Sequence, residues 1–292
     1  MRFCLILEQK YRFDGMPLDV ARELELAGHE VTLLEPHQSL PAISEIVDIG
    51  QSFDAYILKT VSEGPGLSIL DAASASGHMT INRSRSIRLA RDKAVASALC
   101  RNHGIPSPLT YFAATGDLLT SVPPELYPIV VKPSMGSSGE YLRLVRSPSE
   151  MAELATSLPA KMYLAQPFVE NAGFDLKLYC TGRDVFTTVQ ASPLHEEVAP
   201  AATLIDTPAE LRRLVETIGK IFDLDVFGVD VVESPEGPMV VDINDFPSFR
   251  LVPNGPALVA EHIAWIGSRG RCGERSRGGE IASLEPLAAD LG

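Results

Sequence analysis

Acidic and amide side chains recur in two short β-branched stretches near residue 240. Residues 227–232 contain Asp230, and residues 239–247 contain Asp242 and Asn244. The intervening Ser, Pro, Glu and Gly residues favour a turn, so we predict a β-hairpin. Because side chains alternate along a strand, Asp242 and Asn244 share one face, which Asp230 joins if the register matches. Two carboxylates and an amide oxygen suit Mg²⁺ held together with nucleotide phosphates, although the same residues would also serve as ordinary polar residues of two strands.

Basic residues upstream of the hairpin could bind phosphate. Lys93 begins the longer of two predicted helices, Lys132 ends a predicted strand, and a Gly/Ser loop follows at residues 134–139. Glycine allows positive φ angles, so the N–H groups of such a loop can surround phosphate oxygens. A plain hairpin turn is the alternative, because the spacing differs from that of a P-loop. Further along, Asp175 and Lys177 share one strand face, as part of a cleft or as a simple ion pair.

Hydrophobic periodicity predicts the elements that must position these residues. Alternating strands and helices at the start indicate a parallel α/β domain of about 80 residues, which often binds a ligand at the carboxyl ends of its strands, here near residues 8–10 and 59–60. The absence of GxGxxG after the first strand argues against a dinucleotide site. The predicted strands are 2–7, 29–34, 54–59, 128–133, 141–145, 162–170 and 174–182. The predicted helices are 17–27, 39–49, two within 82–103, 151–158 after a capping box at 147–150, 211–222 after a second capping box at 207–210, and 256–266.

The composition limits the class of protein. The chain has 292 residues, 45% hydrophobic content and a formal net charge of −13, which argues against binding nucleic acid or an anionic membrane. No apolar run is long enough for a membrane span, and the N-terminus lacks the features of a signal peptide. The four cysteines lie far apart, as expected for reduced thiols. We therefore expect a cytoplasmic protein.

The order of the motifs resembles that of the ATP-grasp superfamily, and most of all its RimK-like branch, over about residues 1–265. Each motif is weak, but six in the same order are together quite specific. They are Arg91-Asp92-Lys93, Val130-Val131-Lys132-Pro133 with its Gly/Ser loop, Gln166-Pro167-Phe168-Val169-Glu170, Asp175-Leu176-Lys177, Gly228-Val229-Asp230 and Asp242-Ile243-Asn244.

The resemblance implies a mixed α/β and α+β architecture in which two lobes close on ATP. It implies an N-terminal parallel α/β domain at 1–82, a lobe with the Gly/Ser loop at 83–182, a lobe with the metal site at 183–266, and a mobile tail at 267–292. Carried over residue by residue, the resemblance implies that Lys93 and Lys132 bind the α- and β-phosphates and that a loop covers the triphosphate, formed by Ser134, Gly136, Ser137, Ser138 and Gly139. It places Gln166, Phe168 and Val169 at adenine, Asp175 near the ribose, and Lys177 near the γ-phosphate or the acceptor. It assigns one or two Mg²⁺ ions, with Mn²⁺ as an alternative, to Asp230, Asp242 and Asn244.

Two departures from the RimK-like pattern bear on the reaction. Asp242 replaces a usual glutamate and Ser248 a usual glycine, and the Asp-x-Asn-x-Phe-Pro form of residues 242–247 resembles the inositol phosphate kinases of the same superfamily. Residues 190–200 are acidic and short and lack the basic loop typical of the ligases, which argues against a highly phosphorylated substrate. Arg250 is the candidate for gripping a substrate carboxylate, with an ordinary surface arginine as the alternative.

The resulting hypothesis is an ATP- and Mg²⁺-dependent ligase that joins a small carboxylic acid to an amine through an acylphosphate. The alternatives are an ATP-grasp kinase that phosphorylates a hydroxyl and a non-catalytic ATP-binding module. A homo-oligomer is compatible with the sequence.

Overall fold

The N-terminal part of the chain forms a parallel sheet covered by helices. The computed structural model describes residues 1–47, 53–61, 64–136, 141–194 and 202–273. The sheet has the order β2-β1-β3-β4, with all neighbours parallel, which confirms the predicted α/β domain. Its elements are β1 (Arg2–Ile6), α1 (Met16–Leu26), β2 (Glu30–Leu34), α2 (Ile43–Val47), β3 (Ala55–Leu58), α3 (Gly66–Ala75) and β4 (Thr80–Ile81).

A four-stranded antiparallel sheet forms the first of two further layers. Its order is β5-β8-β6-β7, and α6 and the 3₁₀ helix Gly116–Ser121 contribute to the core that covers it. The predicted capping box begins α6: the Ser147 hydroxyl accepts a hydrogen bond from the Glu150 N–H at 3.2 Å, and the Glu150 carboxylate accepts one from the Arg146 N–H at 2.7 Å. The elements are β5 (Tyr111–Ala113), β6 (Ile129–Pro133), β7 (Arg143–Val145), α6 (Pro148–Ala155) and β8 (Tyr163–Pro167).

A five-stranded antiparallel sheet of order β11-β10-β9-β12-β13 forms the second layer. Three helices pack on one face of it, and the apolar stripe of α7 is buried there as predicted. The elements are α4 (Ser84–Arg91), α5 (Lys93–Asn102), β9 (Phe174–Cys180), β10 (Val185–Ala191), β11 (Thr203–Ile205), α7 (Ala209–Phe222), β12 (Phe227–Ser234) and β13 (Gly237–Asn244).

Two predictions about this layer need correction. β9 pairs with both β10 and β12, so Phe174–Cys180 belongs to the five-stranded sheet, although the predicted boundary after residue 182 placed this strand in the other lobe. The second capping box does not cap α7, because the Thr207 hydroxyl lies against Thr187 and the Val185 carbonyl, at 2.9 and 3.1 Å. The helix starts instead after Pro208, without a side-chain cap.

The last helix returns the chain to the N-terminal domain. α8 (Gly255–Gly273) packs against α1. The predicted end at residue 266 is wrong, because the helix continues where a tail was expected. At Gly267 the helix lies close to β1: a Cβ at that position would lie 3.0 Å from the Phe3 ring, so glycine permits close packing there. Residues 274–292 lie outside the described residues. No described helix is both long and apolar enough to span a bilayer.

A buried histidine on α8 makes the stability depend on pH. His262 is 3% exposed, and neither ring nitrogen has a hydrogen-bond partner among the described residues. Burial, with a smaller effect of Arg183, lowers its pKa from 6.5 to about 4. Between these values the unfolded chain binds a proton that the folded chain does not, so the free energy of unfolding falls as pH falls.

We expect acidification from about pH 7 to 4 to cost the wild type about 3 kcal/mol more than the variant His262→Leu. Urea unfolding across this range measures the difference. The exposed His103 supplies the control His103→Gln, which should retain the wild-type slope. Equal slopes for wild type and His262→Leu would contradict the assignment.

Candidate active site

Strand register brings four polar residues into one row across the five-stranded sheet. Thr188 of β10 pairs with Lys177 of β9, Lys177 pairs with Asp230 of β12, and Asp230 pairs with Asp242 of β13. Asn244 lies two residues beyond Asp242, opposite Gly228. This confirms the predicted hairpin, and its register, which the sequence left open, places Asp230 opposite Asp242 through an irregularity between Asp230 and Val231. Because residues two apart share a strand face, the register explains how the residues of the proposed metal site come together.

Lys177, Asp230 and Asp242 of this row line a cavity of about 960 Å³, together with Asn244. The volume lies at the upper end of the range for ligand pockets in proteins and suits a nucleotide with a further small molecule. Ser134 lies just behind the wall, where it is buried and its carbonyl accepts a hydrogen bond from the Lys93 N–H at 3.1 Å. Eleven of the residues expected at a nucleotide site line the cavity: Lys93, Lys132, Gly136, Gln166, Phe168, Val169, Asp175, Lys177, Asp230, Asp242 and Asn244. The expected loop residues Ser137, Ser138 and Gly139 lie outside the described residues.

Local backbone structure fixes the position of Lys93. The Asp92 carboxylate caps α5 by accepting hydrogen bonds from the N–H groups of Ala94 and Val95, at 3.1 and 3.2 Å. Such a cap is worth about 1 kcal/mol. Asp92 also separates α4 from α5, because it ends the first helix and caps the second. Lys93 is therefore the first residue of α5, and its ammonium group is directed at the hairpin.

Ammonium groups and carboxylates alternate along the cavity wall. Lys93 Nζ lies 2.6 Å from Asp242 Oδ1, and Lys177 Nζ lies 3.1 Å from Asp230 Oδ1. The Asn244 amide donates a hydrogen bond to Asp230 Oδ2 at 3.3 Å. Burial raises the pKa of Asp230. Burial also opposes ionisation of Asp242, but the nearby ammonium groups of Lys93 and Lys132 hold the pKa of Asp242 below its ordinary value.

Lys132 reaches from β6 to the backbone of β13. Its ammonium group donates a hydrogen bond to the Val241 carbonyl at 2.8 Å, and burial lowers its pKa from 10.5 to about 8. Lys132 is therefore largely protonated at neutral pH. A poorly solvated cation interacts strongly with an incoming anion, because little water screens it.

The donor set fits Mg²⁺ bound together with phosphate. Mg²⁺ takes oxygen ligands in octahedral geometry and is usually held by one or two carboxylates plus substrate phosphates and water. Asp230 and Asp242 supply the carboxylates and Asn244 an amide oxygen. Among the residues that the structure describes, no three His, Cys, Asp or Glu side chains cluster to hold a metal alone. The two carboxylates and the amide oxygen suit a metal that arrives with a nucleotide.

Arg250 does not belong to the cavity. Its guanidinium pairs with Asp14 and Asp19, each at 2.8 Å, on the N-terminal domain. A short 3₁₀ helix (Phe249–Leu251) buries Phe249 and directs the next side chain towards α1. The expected role in gripping a substrate carboxylate is therefore not supported. Gln190, Ser192, Pro193 and Leu194 of the 190–200 segment line the cavity, and residues 195–200 lie outside the described residues.

Sequence reasoning missed two arginines of α4, Arg88 and Arg91, which line the cavity. Their signal was present, since residues 83–91 contain four arginines in a chain of net charge −13. A solvated helix face was the simpler interpretation of that cluster. With these arginines, the described lining has six lysines and arginines against three aspartates, so the cavity is cationic within an acidic protein.

The three sheets and the lysine- and aspartate-lined cavity between them define an ATP-grasp protein. The model of the RimK-like ATP-grasp domain matches residues 90–255, so the chain belongs to that family. Both the fold and the family are those of ATP-dependent carboxylate–amine ligases.

Solved structures show the same fold. The RimK domain protein ATP-grasp from Sphaerobacter thermophilus superposes with a TM-score of 0.71 at 19% identity, over 90% of this chain and 100% of that chain. D-alanine–D-alanine ligase from Bacillus anthracis complexed with ATP gives a TM-score of 0.71 at 14% identity, over 94% of this chain and 99% of that chain.

Curated relatives include proteins named as probable alpha-L-glutamate ligases. The one from Legionella pneumophila (strain Corby) is 28% identical over 252 residues, which is 78% of this chain and 82% of that protein. Probable alpha-L-glutamate ligase 2 of Hahella chejuensis is 28% identical over 200 residues, and the match spans 63% of this chain and 64% of that protein. Neither these relatives nor the fold supports the kinase alternative.

Proposed function

We propose that the protein uses MgATP to activate a small carboxylate as an acylphosphate and then couples the acyl group to an amine. The row of Lys177, Asp230 and Asp242 across the sheet, with Lys93 against its end, supports this proposal most strongly. The row offers metal-binding oxygens and phosphate-binding cations within one cavity. Phosphoryl transfer needs positioning and charge stabilisation more than covalent catalysis.

Each residue of the site has a proposed role. Bound Mg²⁺, as one or two ions, would neutralise the charge of the phosphates. Asp230, Asp242 and Asn244 would hold the metal, and Lys93 and Lys132 would bind the α- and β-phosphates. Both ammonium groups lie on protein oxygens of β13, and phosphate oxygens could replace those acceptors. The loop that contains Ser134 and Gly136 would cover the triphosphate.

The other cavity wall is suited to the nucleoside. Phe168 and Val169 follow β8 directly and line the cavity together with Gln166. The Gln166 amide donates a hydrogen bond to the Thr110 hydroxyl at 2.8 Å, which holds the side chain in place. We assign adenine to this wall, where backbone groups and an aromatic ring are available, and the ribose to Asp175.

The reaction has two balanced steps. A carboxylate oxygen of the acid forms a bond to the γ-phosphorus while the bond from that phosphorus to the bridging oxygen breaks, and ADP leaves. The amine nitrogen then attacks the acyl carbon, phosphate leaves, and the nitrogen loses a proton. Lys177, placed beside Asp230, would stabilise the charge that develops on the transferred phosphoryl group.

The relatives narrow the substrate class. Besides the glutamate ligases, structures of similar fold include D-cycloserine synthetase DcsG, with a TM-score of 0.66 and 18% identity, and D-alanine–D-alanine ligase. Their names point to small acids and amino acids. We propose substrates of this kind for the present protein.

Phosphate release tests this function. Purified protein with MgATP is screened against amino acids and small acids, each with and without a panel of amines. We expect release of phosphate that requires both an acid and an amine, and a condensed product by mass spectrometry. A product that retains the γ-phosphate would indicate a kinase, and nucleotide binding without turnover across the whole panel would indicate a non-catalytic module.

A further inference from the structure

One buried asparagine side chain joins the two strands of the hairpin at its open end. Asn82 directly follows β4 and is 0% exposed. Its Oδ1 accepts hydrogen bonds from the N–H groups of Asp225 and Val226, each at 2.8 Å. Its Nδ2 donates to the Val226 carbonyl at 2.7 Å and to the Asp245 carbonyl. Val226 precedes β12 and Asp245 follows β13, so the amide uses both N–H groups and both lone pairs to connect the strand ends.

The side chain of Asp245 is held as well. Asp245 is 4% exposed, and its Oδ2 accepts a hydrogen bond from the Thr60 hydroxyl at 2.6 Å. Its Oδ1 accepts one from Arg91 Nη1 at 3.2 Å. Thr60 lies in the loop after β3, and Arg91 ends α4. The residue that follows Asn244 is therefore fixed through its carbonyl by one element and through its carboxylate by two others, and a satisfied buried network of this kind is rigid.

The strand ladder by itself holds the end of β13 with few residue pairs. Among the described strands, β13 is an edge strand that pairs with β12 alone. The register shifts between Asp230 and Val231, which separates the pairs near the turn from those that carry the proposed metal ligands. Three pairs remain on the ligand side, and they involve residues 228–230 and 242–244. The position of Asn244 therefore depends on contacts outside the ladder.

We propose that Asp245 is a positioning residue that acts through Asn244. Fastened by Asn82 and Thr60, it fixes the end of β13 and with it the geometry of the ligand set for Mg²⁺. This inference rests on the proposed function, because it takes the three polar residues of the hairpin as metal ligands. Mg²⁺ demands nearly ideal octahedral geometry, so a small displacement of one ligand weakens binding. Groups that orient metal ligands typically contribute about 10- to 100-fold to metal affinity.

The gain in nucleotide affinity that Mg²⁺ provides tests the proposal. The dissociation constant of AMPPNP is measured by calorimetry with Mg²⁺ and with EDTA, and the ratio of the two constants is compared between variants. Asn82→Asp keeps the shape of the side chain but replaces both N–H donors by an oxygen that faces two carbonyls. Thr60→Val removes the hydroxyl from Asp245. Met151→Ala, which truncates a buried side chain of α6 in the core of the four-stranded sheet, is the control for general destabilisation.

We expect the Mg²⁺-dependent gain to fall by at least about tenfold in Asn82→Asp and by a smaller factor in Thr60→Val. Affinity for AMPPNP without metal should stay close to that of wild type, and Met151→Ala should keep the full gain. An unchanged gain in Asn82→Asp, or an equal loss of affinity with and without metal, would overturn the proposal. If Asn82→Asp does not fold, Thr60→Val decides in its place: a reduced gain supports the proposal and an unchanged gain overturns it.

The variant Asn244→Ala separates this proposal from the proposed function. If the gain is lost in Asn244→Ala but is kept in Asn82→Asp and Thr60→Val, the positioning role is refuted and the metal assignment stands. If Asn244→Ala keeps the full gain, Asn244 is not a metal ligand, and the positioning role is overturned with that assignment. None of these measurements needs turnover, so a failure of the ligase reaction would show separately in the phosphate-release assay.

Discussion

Replacing Asp242 and Asn244 together by alanine is expected to lower ATP turnover by at least about 10³-fold, because preorganised electrostatic groups in active sites are each worth about 10²–10³ in kcat. The double variant removes one carboxylate and the amide oxygen from the proposed metal site and leaves Asp230 alone. It also leaves Lys93 without the partner that lies 2.6 Å away. We therefore expect thermal stabilisation by MgATP to disappear as well.

A matched control comes from the same hairpin. Glu233 is exposed on β12, so Glu233→Ala removes a carboxylate without touching the cavity and should keep wild-type turnover. The milder variant Asp242→Asn preserves shape and separates loss of charge from disturbance of the fold. If the double variant melts like wild type without ligand and is still stabilised by MgATP to the wild-type extent, the metal assignment is wrong.

Lys132→Met is expected to reduce kcat/KM for ATP by about 10²-fold or more, since it replaces a poorly solvated cation by a neutral side chain of similar length. Lys220 on α7 is exposed and distant from the cavity lining, so Lys220→Met is the matched control. Titration calorimetry with MgATP measures affinity separately from turnover. Equal ATP affinity and turnover for Lys132→Met and wild type would contradict a phosphate-binding role.

The lowered pKa of Lys132 adds a pH signature. Burial brings this pKa to about 8, so the free protein loses the cation as pH rises through that value. Bound phosphates favour the charged form and raise the pKa again. Binding of MgATP near pH 8 should therefore take up a proton, and calorimetry in buffers of different ionisation enthalpy reports this uptake. Lys132→Met should take up fewer protons than wild type, and identical uptake would argue against the assignment.

Much of the fold follows from local signals. Alternation of β-branched residues around a turn-forming segment was enough to predict the hairpin of β12 and β13. The pairing of Asp230 with Asp242 was not predictable in this way, because it depends on a shift of register between Asp230 and Val231. The helix α3 was missed, because Gly66–Ala75 is rich in small residues and has little amphipathic contrast. The Glu8 carboxylate, from the end of β1, helps to begin that helix by accepting a hydrogen bond from the Gly66 N–H at 2.8 Å. Because this hydrogen bond joins residues that lie 58 positions apart, no local sequence pattern predicts it.

The residues of the site also differ in how far the sequence predicts them. Residues that belong to short motifs, such as Lys93 and Lys177, could be singled out from the sequence. Arg91 belongs to the first of these motifs, but its hydrogen bonds to Thr60 and Asp245 could not be predicted, because those residues lie 31 and 154 residues away in the chain. Arg250 shows the opposite error, since closeness to Pro247 in sequence suggested a place in the site. The 3₁₀ helix Phe249–Leu251, which contains Arg250, directs this side chain towards α1 and away from the cavity.

Transfer of ¹⁸O tests the acylphosphate most directly. An acid that supports phosphate release is labelled with ¹⁸O in its carboxylate and incubated with MgATP, amine and protein, and the released phosphate is analysed by mass spectrometry. Because a carboxylate oxygen attacks the γ-phosphorus and leaves with the phosphate, we predict one ¹⁸O atom in each phosphate formed from fully labelled acid. Unlabelled phosphate alongside a condensed product, or a γ-phosphate that stays on a hydroxyl of the product, would contradict the proposed reaction.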